Sequence, residues 1–238
     1  MPNSSGAILG IDAANLRRGG GVTHLVEFLG AAEPSQHGFS EIVIWSGNTT
    51  LDRLPNRPWL RKVNPPALNG GLISRTWWQR NGLSAAARGA GCDVLFVPGG
   101  SFAGSFRPVV AMSQNLLPFE WSELRRYGLS SFTAKLLLLR QVQARTFRHA
   151  DGVIFLTDYA RQVVSDVVGR FDGQTTIIAH GIDHRFSAAP RPQRDIGDYS
   201  AADPFRLVYV STVDLYKHQG EVVRAVAALR SRGLPVAL

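Results

Sequence analysis

One cysteine, two methionines and a shortage of acids limit what this 238-residue chain can be. A lone Cys92 closes no internal disulfide and offers no thiolate cluster to a metal. A reducing compartment, the cytoplasm, is expected. No apolar run approaches the roughly 18 residues that span a bilayer. The opening stretch MPNSSGAILGID has neither a basic region nor a cleavable apolar segment, so secretion is not expected. No set of Asp, His and Cys has ligand spacing, and neither a metal nor a cofactor is predicted. A Walker A lysine, solenoid-period repeats and any nucleic-acid motif are missing as well.

Acids are outnumbered: 26 Lys and Arg against 18 Asp and Glu give a net charge of +8. Such a surface attracts polyanions, whether nucleic acid, anionic membranes or phosphorylated substrates. The basic residues are spread along the chain without a recognition motif, so nucleic acid is not expected as a partner. What is present suits a loop-rich α/β protein of one or two domains. Apolar residues make up 45%, with 24 glycines and 13 prolines.

Short β-branched runs alternate with helical periodicity. Strands are predicted at Ala7–Ile11, Ile42–Trp45, Trp59–Val63, Asp93–Val97, Pro108–Met112, Gly152–Leu156 and Thr175–Ala179. Helices are predicted from Val22 to about Gly30, Ser74 to Arg88, Ser130 to His149, and from a Thr157 cap to about Val168. Trp77 and Trp78 give the second of these a large apolar face, read as core. The alternation predicts a mainly parallel sheet. Between Trp121 and Ala150 lie six Lys or Arg residues and one acid, Glu123. A basic amphipathic helix there could lie on an anionic membrane; equally, the run Leu136–Leu139 could pack on the sheet with arginines outward, the reading preferred here.

Between the first strand and first helix, Gly19, Gly20 and Gly21 form a loop through which backbone amides could approach an anion, or simply a flexible turn. It is not a dinucleotide fingerprint. Counted from Gly19, the final glycine is replaced by His24, and no ribose-binding acid ends the second strand. This disfavours an NAD enzyme, and His24 reads as an ordinary helix residue.

After the turn His180–Asp183, residues 187–204 read as an exposed linker rich in proline and charge. A strand at Phe205–Val210, a polar loop, a helix with Val222, Val223, Val226, Ala227 and Leu229 on one face, and a new strand from Val236 make a βαβ unit. Lys217 stands where the loop meets the helix. Either it is a solvated lysine, or with the free amides of the first turn it holds an anion such as phosphate.

Several segments in order resemble the retaining, metal-independent glycosyltransferases of the GT-B fold, family 4. These are GIDAANLRRGGGVTHL from Gly10, MSQNLLPFE from Met112, DGVIFLTDYARQVV from Asp151, IAHGID from Ile178 and LVYVSTVDLYKHQ from Leu207. The resemblance implies two Rossmann-like domains across a cleft, each a parallel sheet with helices on both faces. Residues 1–186 would form the N-terminal, acceptor-side domain, 187–204 the linker, and 205–238 the opening of a nucleotide-sugar-binding domain truncated at Leu238.

Lys217 matches the family's donor-phosphate lysine. Thr212 stands where its partner arginine usually falls and cannot replace that group's bidentate contacts. Gln114 occupies the place of a histidine near the reacting sugar, and with Asn115 is read as a polar cleft contact. Gly19, Gly20 and Gly21 match the first-domain loop.

The function implied is transfer of a hexose from a nucleotide-diphosphate sugar, with retention, to a saccharide or lipid-linked acceptor. Such chemistry belongs to surface polysaccharide or glycoconjugate synthesis, with peripheral contact at the inner membrane face. The family's acidic donor-orienting pair lies beyond Leu238, so the isolated chain is expected to be inactive. The alternatives are a non-catalytic remnant or binding module, and a GT-B-like nucleotide-sugar epimerase.

Overall fold

The computed structural model describes residues 6–190 and 192–238. Seven strands form one sheet: β1 (Ala7–Asp12), β2 (Phe39–Trp45), β3 (Leu60–Val63), β4 (Val94–Val97), β5 (Val109–Ser113), β6 (Gly152–Phe155) and β7 (Gln174–Ile177). Their order is β3-β2-β1-β4-β5-β6-β7, and every neighbouring pair is parallel. The protein is thus of the Rossmann-like α/β class.

Parallel strands covered on both faces read as continuous apolar runs, as in IVIW of β2. Successive side chains there serve opposite cores. Ile42 and Ile44 pack with Leu25 and Leu29 of α1 (Gly20–Ala31). Val43 and Trp45 pack with Leu83 and Ala87 of α4 (Leu83–Gly89). Farther along the sheet, Val153 and Phe155 meet Phe147 of α6 (Ser131–His149) and Val164 of α7 (Asp158–Val168). Thr157 caps α7, its hydroxyl accepting from the Ala160 amide at 3.0 Å, a bond typically worth about 1 kcal/mol. Two short helices, α2 (Asn48–Leu51) and α5 (Trp121–Arg125), sit in loops.

Three helical and strand expectations change. The single helix expected over Ser74–Arg88 is two, α3 (Leu72–Asn81) and α4, broken at Gly82. A Cβ at Gly82 would lie 2.9 Å from the Trp78 indole nitrogen. The break frees α4 to fill the core, while Trp77 on α3 is 65% exposed rather than buried. In α6 the leucine run is not the anchor: Leu136 is buried, but Leu138 is 67% exposed. Four consecutive residues cannot share one face of a helix. The inward stripe continues instead through Gln143, Thr146 and Phe147. Finally, β7 runs Gln174–Ile177, and Gln174, Thr175 and Thr176 are exposed on an edge strand that needs only one partner.

The described residues fall into two compact units: 6–120 with 134–180, and 121–133 with 181–190 and 192–238. The second unit contains a parallel pair, β8 (Phe205–Arg206) and β9 (Val236–Ala237), and α8 (Gln219–Ser231). Val226 and Val236 are buried in it, and Val222 and Leu229 half-buried, whereas Val223 and Ala227 are exposed. The covered face is therefore the i, i+4, i+7 stripe. The strand expected over Phe205–Val210 pairs only at its start. The Leu207 amide still reaches the Ala237 carbonyl, but Val208 and Val210 have no partner strand among the described residues. The described residues of 187–204 are exposed, apart from half-buried Tyr199 and Pro204.

Candidate functional site

Strand order reverses between β1 and β4, the neighbours from which the sheet grows in opposite directions. Open α/β sheets bind ligands at the carboxyl ends of strands at such a switch point. Because the sheet is parallel, Asp12, Val97 and Ser113 all end on that edge.

The loop after β1 delivers the glycines there, and they differ in role. Gly19 has φ 70° and ψ −158°, a region essentially reserved for glycine. Gly21 permits close approach: a Cβ there would lie 2.9 Å from Leu16 Cδ2 and 3.5 Å from Gln114 Oε1. A Cβ on Gly20 would meet nothing within 4 Å, so neither constraint applies to it. The first turn of α1 carries no acidic residue. Its Gly20 and Gly21 amides have no acceptor among the described residues, leaving the positive end of the helix open.

Gln114 is thus brought to the glycine loop, half-buried, with its Nε2 3.2 Å from Met112 Sδ. Asn115 is exposed and occupied locally, its Oδ1 accepting from the Leu117 amide at 3.1 Å. Beside them, the buried Ser113 hydroxyl has no hydrogen-bond partner among the described residues.

A buried network not singled out in the sequence lies at the end of β1. Asp12 is 3% exposed and accepts from the Ala14 amide at 3.1 Å and from Gln79 Nε2. Gln79 also donates to the Ser101 carbonyl at 2.8 Å and accepts from Asn15 Nδ2 at 3.3 Å. Burial pushes the Asp12 carboxyl up to about 6, with the bonds from Gln79 and Ala14 opposing that rise. The network ties α3 to the mouth of the switch point.

His24 lies in α1, as expected. Its ring lies 4.7 Å from that of His180, and its Nε2 is buried without a partner among the described residues. Burial, and then the charge of His180, hold its pKa below the usual value. It is therefore a neutral imidazole at neutral pH.

In the second unit, Lys217 closes a 3-10 turn (Leu215–Lys217) directly before the cap of α8, where the loop meets the helix. His218 follows at φ 57° and is the N-cap of α8. The Lys217 ammonium rests 4.6 Å from the Tyr216 ring centre, and its carbonyl accepts from the Tyr209 hydroxyl. The Thr212 carbonyl accepts from Gln219 Nε2 at 2.6 Å, while the same amide reaches Ser211 Oγ at 2.7 Å. Gln219, also unforeseen, thereby holds the loop closed. The α5 segment braces it from outside. Arg126 lies 2.8 Å from the His218 ring and 3.1 Å from Glu123, and Tyr127 donates to Asp214.

No protein-family profile and no curated protein matches the chain. Among the described residues, no three His, Cys, Asp or Glu side chains are grouped to hold a metal ion. None of the described helices is long and apolar enough to cross a membrane. Chemically, the first unit offers amide donors at a helix start, neutral hydrogen-bonding groups in Gln114, Ser113 and His24, and the buried acid Asp12. The second offers a cationic loop at Lys217. Such groups can bind anions and hydroxyl-rich ligands.

Proposed function

We propose that the protein belongs to the sugar-transferring apparatus it resembles: a hexose passes from a nucleotide-diphosphate sugar, with retention, to a saccharide or lipid-linked acceptor. The observation that carries this reading is the meeting of Gly21 and Gln114 at the carboxyl edge of the sheet. Two motifs some ninety residues apart in the resemblance serve one ligand-binding edge. Neutral Gln114, Ser113 and His24 suit sugar hydroxyls, since each can donate or accept a hydrogen bond. Lys217 and nearby amides would take the diphosphate. Stabilising the departing phosphate charge then supplies the main catalytic contribution. With threonine at 212, the lysine carries that contact without the arginine usual at that place of the motif.

Titration calorimetry with a nucleoside diphosphate tests this. The chain is expected to bind it, and Lys217→Ala to weaken binding by about 1.5–3 kcal/mol, roughly 10- to 150-fold. The variant should melt as the parent does, because among the described residues the ammonium's contact is with the face of the Tyr216 ring. Equal affinity in a folded Lys217→Ala protein would remove the phosphate role.

A further inference from the structure

We propose that α3 docks the protein on an anionic phospholipid surface, with Ile73 and Trp77 seated among the headgroups and neighbouring arginines on their phosphates. Ile73 is 87% exposed, Trp77 65% and Leu72 53%. Ile73 and Trp77, four residues apart, share the outward side of a ten-residue helix. The other side is committed, since Gln79 holds Asp12 and Arg75 reaches the Ala14 and Gly71 carbonyls. Scattered apolar residues on a surface are ordinary; adjoining ones that include a tryptophan mark an interaction site.

Charge decides the occupant. From Asp52 to Asp93 the intervening chain contains no acidic residue. Arg17 donates to the Gly70 carbonyl at 3.1 Å and Arg75 to that of Gly71 at 3.3 Å, which brings both guanidinium groups to one turn. Neither pairs with a carboxylate among the described residues, and Arg80 lies exposed one turn beyond Trp77. Indole and aliphatic side chains beside Arg80, on a stretch with no acid, match the headgroup layer of an anionic bilayer, where apolar atoms descend and guanidinium groups meet phosphate. Seated so, α3 would bring the switch-point crevice to the lipid surface, within reach of a lipid-linked acceptor. That consequence rests on the proposed function; the docking itself does not.

Sedimentation of the purified chain with phosphatidylcholine vesicles, with and without phosphatidylglycerol, is the test. Binding is expected only to the anionic vesicles, weakening as salt rises. The double variant Ile73→Ser/Trp77→Ser should lower the partition coefficient about tenfold or more, and Arg80→Gln should lower it too. Ile73→Ser alone, at so exposed a position, serves if the double variant does not fold. Leu138→Ser on α6 should leave binding unchanged, and inorganic phosphate should not displace the protein. Absence of binding to anionic vesicles, indifference to the α3 substitutions, or dependence on Leu138 instead would overturn the proposal. So would displacement by inorganic phosphate, or retention of the patch by an acidic protein but not by lipid. None of these readouts involves sugar transfer or nucleotide binding.

Discussion

Phe147→Ala is expected to destabilise the first unit by about 3–5 kcal/mol, while Leu138→Ala changes it by no more than about 0.5 kcal/mol. Phe147 is fully buried and its ring lies 5.9 Å from that of Phe119 and 6.5 Å from that of Phe155. Truncation would open a cavity between α6 and the sheet that rigid β5 and β6 cannot close. Leu138 is mostly exposed and leaves no such hole. Urea denaturation of both variants, compared by midpoint at constant slope, checks the contrast. A larger loss at Leu138 would mean that the leucine run, and not the Gln143–Phe147 stripe, anchors the helix.

Gln79→Leu is expected to cost about 1.5–3 kcal/mol at pH 8 and clearly less at pH 5. The folded pKa of Asp12, about 6, lies above its ordinary value of 3.8. Stability from this group is therefore complete below pH 3.8 and lost as pH rises through 6. At pH 8 the buried carboxylate relies on the Gln79 and Ala14 donors. Removing Gln79 leaves charge uncompensated and drives the folded pKa higher still. At pH 5 the carboxyl is mostly protonated and needs the donor less. Equal losses at the two pH values would show that Gln79 matters only through its bonds to Ser101 and Asn15.

The parallel sheet was legible because strands such as VLFV and FSEIVIW are β-branched, apolar and bounded by turns, so periodicity and burial agree. The glycine loop was legible as a motif. Which glycine is constrained was not, since that depends on the φ of Gly19 and on Gln114 arriving beside Gly21. The Asp12–Gln79 bond joins residues 67 apart in sequence, a separation at which neither residue type carries a local signal. Only the carboxylate at the end of the first strand hinted at it. Leu136–Leu139 was legible in part: α6 packs in the core as expected, through Leu136, Gln143, Thr146 and Phe147, while the angular spread of four consecutive residues turns Leu137 and Leu138 outward. Phe205–Val210 misled because a strand is stabilised by its partner, and β9 meets only its first residues. Lys217 was legible at the junction of loop and helix; the 3-10 turn that ends on it and the left-handed His218 cap were not, since neither follows from side-chain type.

The central claim is the proposal that the protein takes a nucleotide-diphosphate sugar. Amide hydrogen exchange, with and without a saturating nucleotide-diphosphate sugar, tests it most directly. Slower exchange is predicted at Gly20–Val22 and across Ser211–His218, with the β2 and β4 core unchanged. Unaltered exchange in both loops, or protection confined to segments elsewhere, would contradict it.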